Sequence, residues 1–219
     1  MIDFYTFDTP NGKQVGIMLE ESGLDYTRRF VDLRKGENRT PQFEKISPDH
    51  TIPAIYDHDG PNGEAIRVFE AGAILPYLGE KVGRYCGNNA VSRLETTQWM
   101  MIVLTGLAPA SREFFLLQPG DVSSTESVEL SADLGRLGSL IHRYVSVLDF
   151  RLREFQFLAK SYSIADMAAF PWIAKLEDLS VISIEEFVGV RNWFTRMKRR
   201  PAVVRAMQCF EEADNVRSL

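Results

Sequence analysis

Apolar and polar positions alternate with two different periods along this chain, and the change from one to the other divides it. Ile2 to Phe7 is a β-branched and aromatic run that stops at the turn cluster Asp8-Thr9-Pro10-Asn11-Gly12. Val15, Met18 and Leu19 then fall on one helical face, which ends at Ser22-Gly23. Tyr26 to Leu33 reads as a second strand, and Thr40-Pro41 as a helix start with Pro where a missing N–H costs nothing. Ala54 to Tyr56 and Ile66 to Phe69 are short strands around a loop rich in Gly and Pro, and Ala73, Ile74, Tyr77 and Leu78 mark another helix. The order βαβ, then αββα, implies a mixed sheet with helices on it, because parallel neighbours need a crossover. Beyond Gly83 only helical spacing remains. The segments are Ser92 to Phe115, Glu126 to Glu154 (a long helix with weak points at Gly135 and Gly138), Ser163 to Leu176, Ser183 to Arg199 and Pro201 to Ala213. Ser163 and Asp166 have the spacing of a capping box. The expected architecture is therefore an α/β domain over 1–83 and an all-α domain over 90–219.

Composition narrows the function classes. The 219 residues are 45% hydrophobic and 25% charged, an ordinary globular balance. A formal charge of −5, from 25 Lys plus Arg against 30 Asp plus Glu, argues against a nucleic-acid partner. No run approaches the roughly 18 apolar residues of a membrane span, and Asp3 and Asp8 do not suit a signal peptide. Cys86 and Cys209 belong to no CxxC or metal-ligand cluster, so no metal is expected and a cytoplasmic location follows.

Three short segments could carry chemistry. Pro53, just before a strand, suits either an ordinary trans bond at a loop end or a cis bond that leaves the backbone groups of Ile52 free for a peptide-like ligand. Glu70, at the start of a helix followed by Ala71, Gly72 and Ala73, could receive an ammonium while the helix N–H groups receive a carboxylate. It could equally be a residue that only offsets the helix dipole. Thr9 and Asn11 could stabilise an anionic oxygen or sulfur, or serve as a plain N-cap. His50, His58 and His142 are scattered and suit surface or helix roles. Trp99, Met100, Met101 and Leu104 read as core, or as one wall of an apolar pocket.

With those residues set out, the chain resembles the cytosolic glutathione transferases. TIPAI (51–55), FEAGAILPYLGEK (69–81) and YSIADMAAFPW (162–172) match that family's cis-proline, γ-glutamyl-binding and helix-capping motifs. TPNGKQVGIMLEE (9–21) and ISPDHTIPAIYDH (46–58) look more narrowly like its nu-class, disulfide-reductase-like branch. The resemblance implies a thioredoxin-like βαβαββα domain followed by helices, acting as a homodimer with glutathione as co-substrate. It implies that Thr9 and Asn11 sit at the sulfur, and that Ile52 beside Pro53 pairs with the cysteinyl unit. Glu70 and Ala71 would hold the γ-glutamyl end, Asn38 and Thr51 the glycine carboxylate, and Arg136 would reach glutathione from the second long helix.

Two positions depart from the family pattern. Ala71 stands where the family has Ser, and Thr51 where the branch often has Lys. One lost charge-assisted hydrogen bond, worth about 1.5–3 kcal/mol, corresponds to roughly ten- to a hundredfold weaker binding. The function implied is stabilisation of the glutathione thiolate for attack on a small hydrophobic electrophile or a disulfide, including glutathione disulfide. The alternative is a protein that keeps the fold for ligand or protein binding with weak glutathione affinity or none. Tyr5 is the rival sulfur donor, although its place inside the first strand favours packing.

Overall fold

A computed structural model describes residues 1–117 and 126–217. The chain packs as two compact units: residues 1–86 together with the stretch from Met197 onward, and residues 87–196.

The first unit is built on strands β1 (Ile2–Thr6), β2 (Tyr26–Phe30), β3 (Ala54–Asp57) and β4 (Ile66–Phe69), with helices α1 (Pro10–Ser22), α2 (Pro41–Glu44) and α3 (Ala71–Val82) between and after them. The sheet order is β2-β1-β3-β4. β1 runs parallel to β2, with Phe4 opposite Arg28, and antiparallel to β3, with Phe4 opposite Ile55. The mixed sheet and its helices are thus as the residue pattern implies. Ile2, Phe4 and Ile55 of the sheet, with Val15, Met18, Leu19, Ile74 and Leu78 of the helices, are fully or nearly fully buried. β2 is shorter than the apolar run suggests. It gives way before a turn at Leu33–Lys35, because Asp32 turns its carboxylate back onto the Arg34 N–H at 3.0 Å.

The last helix, α9 (Pro201–Arg217), is grouped with this unit and not with the other helices. It lies on α1, where a Cβ at Gly16 would come within 3.0 Å of the Phe210 ring. Arg205 pairs with Glu20 at 2.7 Å, Arg200 with Glu21 at 2.8 Å, and Arg28 donates to the Cys209 carbonyl at 2.7 Å.

The second unit is helical: α4 (Ala90–Ile102), α5 (Ala108–Leu116), α6 (Glu126–Glu154), α7 (Ile164–Asp178) and α8 (Val188–Lys198). The expected single helix over 92–115 is two helices joined by a π turn at Val103–Leu107, where the Ala108 N–H reaches the Val103 carbonyl. Pro109 explains it. Its ring would clash with the Thr105 carbonyl in a regular α-helix, and the widened turn moves that carbonyl aside. The expected helix over 183–199 begins as a short turn at Ile184–Glu186 and becomes regular only from Val188. There the buried Asp149 of α6 accepts from the Gly189 and Val190 N–H groups at 2.7 and 3.2 Å, capping α8 from another helix. The Ser163–Asp166 capping box forms, with the Ser163 N–H donating to Asp166 at 3.0 Å. Asp166 does more than cap: it also accepts from the Leu158 N–H at 3.0 Å and from Trp193 Nε1 at 2.9 Å.

Candidate functional site

The first turn of α1 is locked onto the end of β1. Thr9, extended at φ −141°, caps the helix by accepting from the Gly12 N–H at 3.1 Å. Only glycine fits at position 12: a Cβ there would lie 2.4 Å from Thr6 Oγ1 and 2.5 Å from the Phe7 carbonyl oxygen. The cap uses the Thr9 oxygen as acceptor, so its hydroxyl hydrogen is left to donate. Asn11 follows with Oδ1 buried and without a protein partner. Rotation of the amide about χ2 places either a carbonyl or an NH2 group at that spot, so it can accept from a thiol or donate to a thiolate. Thr9 and Asn11 are thus neighbours on a helix N-terminus, where the dipole favours negative charge.

Tyr5 points elsewhere. Its ring meets Phe43 edge-on at 6.1 Å, in an apolar cluster with Phe7, Val31 and Ile52. Burial, and then the Asp3 carboxylate, push its hydroxyl above the ordinary tyrosine range. That disfavours an ionised Tyr5.

The Ile52–Pro53 peptide is cis. The Ile52 side chain joins the apolar cluster while its N–H and C=O take no part in the sheet ladder. The preceding residues are held from two sides. Asn38 Nδ2 donates to the His50 carbonyl at 2.8 Å, and His50 Nδ1 sits 2.9 Å from the Asn38 carbonyl. Asp49 accepts from Ser47 Oγ at 2.7 Å and from Thr51 Oγ1 at 2.6 Å, with the Thr51 N–H at 3.3 Å. Thus Asn38 and Thr51, expected at a glycine carboxylate, both use polar atoms to shape this loop.

Glu70 occupies the residue before α3 with φ 70°, a region few side chains adopt, and it does not cap its own helix. Its carboxylate faces that of Asp49. Burial, then the Asp49 charge, hold Glu70 above the ordinary carboxylate range. Asp49 stays low: the hydrogen bonds from Thr51 and Ser47 outweigh the opposing effect of burial. Ala71 is 2% exposed and offers a methyl and no side-chain hydroxyl.

Arg136 belongs to the second unit, on α6. It forms exposed ion pairs with Glu113 at 3.3 Å and Asp133 at 3.6 Å. The histidines have separate local partners: His58 Nε2 lies 2.8 Å from Asp3, and the His142 ring lies 5.1 Å from Phe187. Among the described residues no group of three or more His, Cys, Asp or Glu could hold a metal, and no helix is long and apolar enough to cross a membrane.

Residues 10–81, from the start of α1 through α3, match the family described as glutathione S-transferase, N-terminal domain. The chain is 36% identical over 209 residues to the disulfide-bond oxidoreductase YfcG of Escherichia coli (strain K12), covering 94% of each. The chain belongs to the glutathione transferase family. Among solved structures it is similar to a family member from Pseudomonas fluorescens pf-5 with two glutathione bound, at TM-score 0.86 and 34% identity, covering 94% of this chain and 91% of that one. It is also similar to the Pseudomonas putida glutathione transferase with one glutathione disulfide bound per subunit, at TM-score 0.84 and 33% identity, with 94% and 90% coverage.

Sequence reasoning passed over Asp49. A signal was present, since an Asp in Ser-Pro-Asp-His-Thr is placed to accept from the residues around it. Its position opposite Glu70 left no sequence signal at all.

Proposed function

We propose that this protein binds glutathione and stabilises its thiolate for thiol–disulfide exchange with a small disulfide, or for attack on a small hydrophobic electrophile. The observation that carries the reading is the Asn11 amide, buried at Oδ1 without a partner beside the Thr9 hydroxyl on the first turn of α1. A free thiol near pKa 8.5 is only a few per cent ionised at neutral pH. Lowering that value by about two units requires ~2.7 kcal/mol of preferential anion stabilisation. A hydroxyl, an amide and a helix N-terminus are suited to supply it together.

In the exchange reaction, the glutathione thiolate attacks one sulfur of the substrate disulfide and the other leaves as a thiolate, which takes up the proton released earlier. A second glutathione thiolate then attacks the mixed disulfide at the glutathione sulfur. Glutathione disulfide forms, and the second substrate thiol is released. Two glutathiones are oxidised and one disulfide is reduced. No protein cysteine is needed, in keeping with two unbridged cysteines outside the 9–12 segment.

Weak glutathione affinity is the second reading, favoured by the Ala71 methyl and by the engagement of Thr51 with Asp49. Calorimetry with reduced and oxidised glutathione separates the two. Binding followed by turnover of 2-hydroxyethyl disulfide supports the reductase. No heat at millimolar ligand sinks the enzyme reading. Rates with a chlorinated nitrobenzene decide how far conjugation accompanies reduction. The proposal includes a homodimer in the cytoplasm, with Arg136 contributing to glutathione binding.

A further inference from the structure

Helix α7 ends at a cavity of about 380 Å3 that lies wholly within the second unit. Glu177 and Ser180 come to its lining from the end of α7, Ile182 and Glu186 from the connection to α8, and His142 from α6. The buried Phe187 ring lines it too, with the His142 imidazole 5.1 Å away. The connection is held in place. Glu177 accepts from the Ile184 N–H at 2.9 Å, and α7 closes with the Val181 N–H on the Leu176 carbonyl and the Ser180 N–H on the Glu177 carbonyl, both at 2.9 Å. That closure puts Ser180 at φ 54°, where glycine is usual, and the serine that stands there carries a hydroxyl.

Three observations give the cavity one electrical sign. Two carboxylates line it, and no Lys or Arg among the described residues does. Neither Glu177 nor Glu186 forms an ion pair among the described residues, although the adjacent Glu185 pairs with Arg191 at 3.1 Å. The C-terminus of α7, the negative end of its dipole, is at the same place. All three favour a cation. Ile182 and Phe187 add apolar surface that a bare inorganic ion would leave unused. The volume falls within the range of small-molecule sites, roughly 300–1,000 Å3, so the body of a ligand fits beside its charged head.

We infer that this cavity binds an organic amine, with its ammonium head on the Glu177 and Glu186 carboxylates at the end of α7 and its apolar body against Ile182 and Phe187. None of the residues assigned above to glutathione lines it, and the inference does not depend on that reading. Charge decides the selection. A neutral molecule of the same shape keeps the apolar contacts and loses the charge-assisted hydrogen bonds, and an anion is repelled.

The test is calorimetry on the full chain with 2-phenylethylamine, and with 2-phenylethanol and 3-phenylpropanoate as neutral and anionic molecules of similar shape. The amine should bind at millimolar concentration or below, about tenfold more tightly than either of the others. Glu177→Gln keeps an acceptor for the Ile184 N–H, Glu186→Gln changes an exposed residue, and circular dichroism melting verifies that both variants fold. Each should weaken the amine about threefold and the double substitution about tenfold, because a partly exposed charge is worth less than a buried one. Binding of 2-phenylethanol should not change in either. The chain has three histidines, so the His142 ring-proton resonance, identified with His142→Gln, reports the location in the unaltered protein and should shift on addition of the amine. Amine binding that both substitutions leave unchanged, or that does not move the His142 resonance, takes place elsewhere and overturns the inference. Equal affinity for the three probes, or no heat from the amine at millimolar concentration, overturns it as well.

Discussion

Asn38 and His50 hold each other by two contacts, the Asn38 amide on the His50 carbonyl at 2.8 Å and the His50 ring on the Asn38 carbonyl at 2.9 Å. His50 is at φ 59°, so this pairing supports an unfavourable backbone position just before Thr51-Ile52-Pro53. Asn38→Ala should cost about 1 kcal/mol of stability, the net worth of a hydrogen bond. It should also raise the dissociation constant for glutathione several-fold, with melting and calorimetry as the two measurements. Unchanged affinity in a destabilised variant would show that Asn38 supports the fold and not the site.

Asn11→Ala should lower kcat for disulfide reduction about ten- to a hundredfold, the worth of one hydrogen bond to a charged group. The pKa of the bound thiol, read from ultraviolet thiolate absorbance against pH, should rise in the same variant. Thr9→Ala should show both effects and also lose about 1 kcal/mol of stability with its N-cap, which Thr9→Ser restores. Tyr5→Phe should keep its activity. Full activity in the Thr9 and Asn11 variants with loss in Tyr5→Phe would move the sulfur donor to Tyr5.

Ala71→Ser introduces a hydroxyl at the first residue of α3. If the γ-glutamyl carboxylate lies there, glutathione should bind about ten- to a hundredfold more tightly. Calorimetry on the single variant is sufficient, and equal or weaker binding would place the carboxylate elsewhere.

Asp166 sets a pH dependence of stability. Burial pushes its carboxyl up to about 6, against hydrogen bonds from Leu158, Trp193 and Ser163 that pull it down. The folded state therefore keeps the proton more tightly than the unfolded chain, whose carboxyl titrates near 3.8. Through this group stability falls as pH rises from about 4 to about 6 and is level above that. Denaturation across this window should show the slope in the wild type and lose it in Asp166→Asn. Asp166→Ala should cost at least ~3 kcal/mol, because the N–H groups of Leu158, Ser163 and Trp193 are left buried without an acceptor.

Local chemistry made much of this protein legible in its residues. β-branched and aromatic runs made the strands, and helical spacing made α1, α3 and α7. Thr9 capped α1 and Ser163 capped α7, because both motifs act within a few positions of the chain. The same logic pointed to Thr9, Asn11, Ile52 and Glu70 as places where chemistry could happen.

Contacts between distant segments were another matter. An apolar stripe says that a helix must be covered, not by what, so only the folded chain put α9 on α1 and grouped it with the first unit. The turn at Val103–Leu107 depended on how the helix accommodated Pro109, and the cap of α8 came from Asp149, on another helix. At the candidate site, sequence exposed the missing serine and lysine. Tertiary structure decided that Asp49 faces Glu70, because the charge on a carboxylate acts through space, and its neighbours in space are chosen by the packing of the whole unit.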